Sequence, residues 1–121
     1  MNKEKGEVMR HGLREENGIV ILDLAGEIRL SEEQAPSLHR LIREQLSLGK
    51  KKILLNFAKV DFIDSYGIGD IVAAHVSVQK KKGSLKFVHL SEKIWLIFNY
   101  SGLTKIFEFF DNEEKAIKSF G

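Results

Sequence analysis

Residues 61–70 read DFIDSYGIGD, and they hold the side chains most readily put to chemical use: the Ser65 hydroxyl with the Asp61 and Asp64 carboxylates beside it. A nucleophilic serine needs a base, and two histidines compete for that role. His75 lies ten residues further along a helical pattern, a rise of about 15 Å, well beyond hydrogen-bond reach. His89 is the better candidate if its strand lies parallel to and beside residues 51–57, since both C-terminal ends would then reach the edge where α/β sheets hold ligands. A serine hydrolase also wants a nucleophile elbow and oxyanion donors, and no Gly-x-Ser-x-Gly is present. Gly67-x-Gly69 is neither a P-loop nor a dinucleotide fingerprint, and no clustered metal ligands occur at usable spacing. The reading expects no catalytic residue, cofactor or metal. Ser65 is better placed as an acceptor: Asp64 and Ser65 can both cap the amides of a helix that starts here, which sets a hydroxyl in the positive field of a helix N-terminus. Plain capping, with Gly67 and Gly69 relieving crowding where helix meets sheet, is the commoner use of such residues.

The elements around this joint are legible. Ile53, Leu54, Leu55, Asn56 and Phe57 form the short, nearly continuous apolar run of a strand buried on both faces. After the joint, Ile68, Ile71, Val72 and Val76 recur at helical spacing to about Lys82, with His75 in the same sector as a core-edge histidine. Asp70, Ala73, Ala74 and Ser77 fall on the other side, where small residues would leave a smooth surface. Upstream, residues 8–14 and 19–25 form two strands joined through Asn17-Gly18, a tight hairpin turn, with Gly26-Glu27 ending the second. Ser31 and Gln34 could form a capping box, but Pro36 sits too deep for a helix begun at Glu32, so the helix starts near Gln34 with Ala35, Leu38, Leu41, Ile42 and Leu46 as its stripe. Downstream, residues 84–90 read as a strand and Ser91 caps a helix to about Tyr100, with Ile94, Ile97 and Phe98 inward. Trp95 and Leu96 lie off that stripe, as a second packing layer or a contact patch. Residues 105–110 make a last strand, and Asp111 with Glu114 a capping box for a helix over 111–120. The order β-β-α-β-α-β-α-β-α argues an α/β domain with a mixed sheet of about five strands packed with about four helices.

At 121 residues the chain is sized for one domain, over 1–121. With no cysteine it has neither disulfide framework nor thiolate site, and no apolar run approaches a membrane span, so a cytoplasmic location is expected. A formal charge of +2 is too balanced to imply nucleic acid. The lysine triplets at 50–52 and 80–82 read as solvated ends of elements.

The motif Asp61-Phe-Ile-Asp-Ser-Tyr-Gly-Ile-Gly69, followed by Tyr100-Ser-Gly-Leu-Thr-Lys-Ile-Phe107, resembles the STAS domain of anti-sigma factor antagonists, over about residues 18–120. The resemblance implies that Ser65 is the phosphorylation site. It also implies that the helix carrying Asp70, Ala73, Ala74 and Ser77 helps form the partner-binding face; the residues themselves add the loop of Asp64, Tyr66 and Gly67 to that contact, with Trp95 beside it and Arg29 as a side chain that could pair with a phosphate. The implied partner is an anti-sigma factor that is also a serine kinase, with a serine phosphatase to reverse it; no nucleic acid and no membrane insertion are expected, and a homodimer is an open alternative. Many members carry an aspartate shortly after Gly-Glu, where this chain has Ile28-Arg29-Leu30-Ser31, and Tyr66 stands where serine or alanine is usual. The expected function is thus a phosphorylation-controlled partner-switching regulator and not an enzyme. A non-phosphorylated STAS scaffold or regulatory subunit of a stress-signalling or transporter assembly is the alternative, and a small hydrolase or nucleotide-binding protein the third.

Overall fold

The computed structural model describes residues 7–30 and 36–121. Its elements run β1 (Arg10–Glu16), β2 (Ile19–Ile28), α1 (Leu38–Ser47), β3 (Lys52–Ile63), α2 (Ser65–Lys80), β4 (Ser84–Val88), α3 (Glu92–Tyr100), β5 (Glu108–Phe110) and α4 (Glu113–Ser119), with a 3-10 turn at Leu103–Lys105. The five strands lie side by side in chain order; β1 and β2 are antiparallel and every later pair is parallel. The expected mixed α/β architecture of five strands and four helices is what forms.

Local chemistry accounts for the turns. Asn17 and Gly18 both take positive φ, 54° and 77°, as a two-residue hairpin turn demands, and this sets Glu16 opposite Ile19. Alternation then sorts the strands into two faces. Val20, Leu22 and Leu24 join Ile53, Leu55, Phe57 and Phe87 in the main core with inward residues of α1, α2 and α3, including Ile42, Ile71, Ile94 and Phe98. Ile19, Ile21, Leu54 and Val88 form a smaller core on the opposite face with Ala116 of α4, flanked by Ile117 and Phe120.

Several boundaries differ from the sequence reading. Gly26-Glu27 does not end β2, which continues to Ile28; the pairing with β3 slips between Asp23 and Ala25 and again between Gly26 and Glu27. Gly26 has φ 91° and a Cβ there would lie 2.8 Å from the Glu7 and Val8 carbonyl oxygens, so it permits close backbone approach inside the strand. β3 likewise runs on to Ile63, pairing Ile28 with Ile63. β4 leaves β3 far earlier, at Val88 opposite Asn56, so β3 overhangs β4 by roughly 20 Å of strand. Helix α1 begins at Leu38, with Ser37 Oγ accepting from the Arg40 amide at 3.1 Å, later than the expected start near Gln34; Ser31, Gln34 and Ala35 lie outside the described residues. Asn112 caps α4 by accepting from the Lys115 amide at 3.1 Å, one residue after the expected Asp111.

Arg14 ties α4 to the hairpin. Its guanidinium donates to both carboxylate oxygens of Asp23, at 2.7 and 3.0 Å, and to both of Glu113, at 3.0 and 2.6 Å, while Asn56 donates to Asp23 at 2.8 Å. Hydrogen bonding to Arg14 holds both carboxyls below their ordinary values of 3.8 and 4.5, against a smaller opposing effect of burial. Because the folded values are depressed, the clamp stabilises fully above the ordinary values and is lost as pH falls through the folded ones. The side chains are partly solvated, so Arg14→Ala should cost about 1–2 kcal/mol at neutral pH, and the gap between wild type and variant should close in acid. Urea unfolding at the two pH values checks this; a gap that persists in acid would refute the clamp.

Among the described residues no helix is long and apolar enough to cross a membrane, and no group of three or more His, Cys, Asp or Glu could hold a metal ion.

Candidate functional site

The site forms where β3 ends and α2 begins. Asp64 is extended (φ −105°, ψ −177°) and its Oδ1 accepts from the Gly67 amide at 2.8 Å, so Asp64 is the N-cap and Ser65 the first helical residue. The Asp64 amide donates to the Ile28 carbonyl at 3.3 Å, and the Leu30 amide donates to Asp64 Oδ2 at 3.4 Å, binding the end of β2 to the same carboxylate. With the cap supplied by Asp64, the Ser65 side chain is exposed and makes no hydrogen bond to any described residue. A free hydroxyl thus stands at the electropositive end of a 16-residue helix.

The two glycines have different roles. A Cβ on Gly67 would meet the Ile28 carbonyl oxygen at 2.3 Å and Ile63 Cγ1 at 2.8 Å, whereas one on Gly69 would meet nothing within 4 Å. Gly67 lets α2 seat against β2 and β3; Gly69 leaves bare backbone on the solvent side.

Arg29, Tyr66, Gly67 and Asp70 meet around a small cleft of about 130 Å³ between the end of β2 and the start of α1. Within it Arg29 Nε donates to Glu27 Oε1 at 2.5 Å and Nη1 to the Leu30 carbonyl at 3.2 Å, so its guanidinium is already committed to the β2 end. Tyr66 is exposed.

The helical surface is rotated from the one expected. Gly67, Ile71, Ala74 and Val78 face the sheet, and Ala74 is fully buried. Asp70 Oδ2 accepts from the His39 amide at 3.0 Å, Ser77 Oγ lies 2.8 Å from His39 Nε2, and Ala73 is half-buried. Asp70 and Ser77 therefore serve the α1–α2 contact and Ala74 lies in the core, so these residues do not form a smooth open surface. Val72 and Val76, expected inward, are 38% and 46% exposed and share the outer face with Ser65 and Gly69. Apolar residues occur all round α2, so their spacing had no single phase; the small Ala74 and Gly67 let the backbone lie close to the sheet and take the inward positions. His39, which supports α2 from α1, carried no such signal in the sequence. His75 is at the core edge as expected, its ring 5.0 Å from Phe107 at 86°.

His89 and Trp95 belong elsewhere. They line an open groove of about 750 Å³ with Ala58, Leu90, Phe109 and Phe110, at the C-terminal ends of β4 and β5. β4 does lie parallel to and beside β3, as expected, but the overhang of β3 carries Ser65 well past His89. The hydrolase reading required these two side chains within hydrogen-bond distance, and the fold separates them.

These features define a class: a five-stranded mixed α/β domain whose accessible feature is a hydroxyl on a braced helix tip. The family model for the STAS domain matches residues 12–116, and the chain belongs to that family. An anti-sigma F factor antagonist of Paenibacillus polymyxa is 24% identical over 102 residues, covering 83% of this chain and 85% of the relative. Among solved structures, an anti-sigma factor antagonist from Mycobacterium paratuberculosis superposes with a TM-score of 0.77 at 18% identity, covering 93% of each chain. The anti-sigma factor antagonist SpoIIAA in its unphosphorylated form gives 0.69 at 20% identity, covering 91% of this chain and 96% of its own. The Bacillus SpoIIAA in phosphorylated form gives 0.68 at 20% identity, covering 91% and 99%.

Proposed function

We propose that this chain is a cytoplasmic anti-sigma factor antagonist and not an enzyme, switched by phosphorylation of Ser65. The observation that carries the reading is the unengaged Ser65 hydroxyl at the tip of α2, held out by a cap that Asp64 alone supplies. A relative in the same family is known in unphosphorylated and phosphorylated forms. An anti-sigma factor acting as a serine kinase would place the γ-phosphoryl of ATP on Ser65 Oγ, with ADP leaving and the hydroxyl proton released; a serine phosphatase would reverse it. The unmodified chain would hold the anti-sigma factor through Ser65, Tyr66, Gly69 and the outer valines of α2.

Incubation with the anti-sigma factor and ATP, followed by mass spectrometry, tests the acceptor: one phosphate on Ser65 and none in Ser65→Ala is expected, and modification that persists in Ser65→Ala would overturn the assignment. The rotated surface makes its own prediction. Val72→Arg, on the open face, should weaken capture of the anti-sigma factor more than tenfold in calorimetry with little change in melting, because the arginine meets the partner and not the core. Unchanged affinity would place the contact elsewhere.

Exposed Trp95 and Leu96, 40% and 43% accessible, favour one second reading, a scaffold that self-associates. Sedimentation of the unmodified chain as a monomer would remove it.

A further inference from the structure

The two lysine triplets, distant in sequence, occupy one end of the molecule. Gly83 packs on Lys51, where a Cβ would lie 2.5 Å from the Lys51 carbonyl oxygen, and the Ser84 amide donates to that oxygen at 2.8 Å. Lys52 pairs in register with Ser84. Because β2 to β5 are parallel, this N-terminal edge of the sheet also receives the C-termini of α1, α2 and α3, and it lies opposite the Ser65 edge.

Cations outnumber carboxylates at this edge, where Glu16 lies 4.0 Å from Arg14. Glu15 is held by Lys50 at 2.6 Å, Glu108 by Lys86 at 3.5 Å and Glu44 by Arg40 at 3.5 Å. That leaves Lys51, Lys52, the lysines at 80–82 and Arg43 exposed, and among the described residues none of them makes an ion pair. Between α1 and α2 at this end, a cleft of about 240 Å³ is lined by Arg43, Ser47, Ser77, Lys80 and Lys81, with Leu46 beside them.

Apolar side chains stand among these cations. Leu48 is 69% exposed in the α1–β3 turn, Tyr100 90% exposed at the end of α3, and Ile106 55% exposed before β5. All three sit at this edge, Leu48 and Ile106 on its loops and Tyr100 at the last position of α3. Exposed cations together with exposed aliphatic and tyrosyl side chains at one edge match the interfacial zone of a bilayer, where headgroup phosphates take the charge and the acyl boundary takes the apolar side chains. A nucleic acid backbone would use the lysines but leave Leu48 and Ile106 without a counterpart.

We propose that this basic edge docks the protein on an anionic membrane surface, peripherally and reversibly, with the Ser65 edge turned toward solvent. The inference does not depend on the phosphorylation switch. Each cation near an anionic surface contributes enough for about a fivefold change in partitioning, so removing three lowers it about a hundredfold.

The test is co-sedimentation of the full chain with phosphatidylcholine vesicles containing a minor fraction of phosphatidylglycerol, against pure phosphatidylcholine vesicles and a duplex DNA of mixed sequence. Binding to the anionic vesicles that falls at high salt is expected, with negligible binding to the neutral ones. K80A/K81A/K82A should lose about a hundredfold and Leu48→Asp several-fold, each with its circular dichroism melt intact. The paired control Lys59→Ala/Lys93→Ala, at the far edge, should bind like wild type. Equal binding to neutral vesicles, a triple variant that still binds, a control that falls as far as the triple variant, or DNA bound more tightly than the vesicles would overturn the proposal.

Discussion

Phosphorylated at Ser65, or carrying Ser65→Asp, the protein should bind its anti-sigma factor at least about a hundredfold more weakly while its melting temperature moves by less than about 4 °C. The two numbers come from different places. A phosphate adds about −1.5 to −2 charges on an exposed first-turn residue, and the α2 amides favour it by roughly 0.3–1 kcal/mol. For a chain of this length about 1 kcal/mol corresponds to about 4 °C, so the fold scarcely registers the change. A partner covering the same atom has no helix amides to offer and must bury the charge, at several kcal/mol. Three of those are about a hundredfold in affinity. Calorimetric titration of both forms, beside thermal melts of each, separates the terms: equal affinities would exclude the switch, and a large fall in melting temperature would show that release comes from unfolding. Ser65→Asp carries a single charge, so its loss should be the smaller of the two.

Gly67→Ala should destabilise the fold by about 1–4 kcal/mol, the largest single-methyl effect expected near the site. The new Cβ would sit 2.3 Å from the Ile28 carbonyl oxygen. That oxygen belongs to β2, paired to β3 at Ile63 and accepting from the Asp64 amide, so neither side can yield cheaply. Overpacking of this kind costs about 1–3 kcal/mol, and displacing the helix start also weakens the Asp64 cap, worth about 1 kcal/mol. The better helix propensity of alanine returns at most about 1 kcal/mol. Gly69→Ala, in open space on an ordinary helical backbone, should instead stabilise by up to about 1 kcal/mol. Urea denaturation of the pair decides the matter. Similar effects at both positions would mean that the seat of α2 is looser than its contacts indicate.

Residues with strong local chemistry were readable from the chain alone. Asn17-Gly18, Ser91 and the Asp64-Ser65 joint declare a turn, a cap and a helix start by their side chains, and the structure places each accordingly. What could not be read depends on partners distant in sequence. The length of β3 is set by its pairing with the bulged end of β2, and nothing within Ala58-Lys59-Val60 announces that the strand continues. The phase of α2 is decided by how closely two small residues allow it to approach the sheet and by His39 reaching Asp70 and Ser77 from another helix. The convergence of the lysine triplets is a property of topology, since each run by itself is only a charged element end.

β3 runs on to Ile63, well past its last pairing with β4 at Asn56. It gives the fold two addresses on the same side of the sheet, an aromatic recess near His89 and a lone hydroxyl a strand's length away. A substitution that reshapes the recess therefore leaves the surroundings of the hydroxyl as they are, so the two regions are free to change in sequence independently.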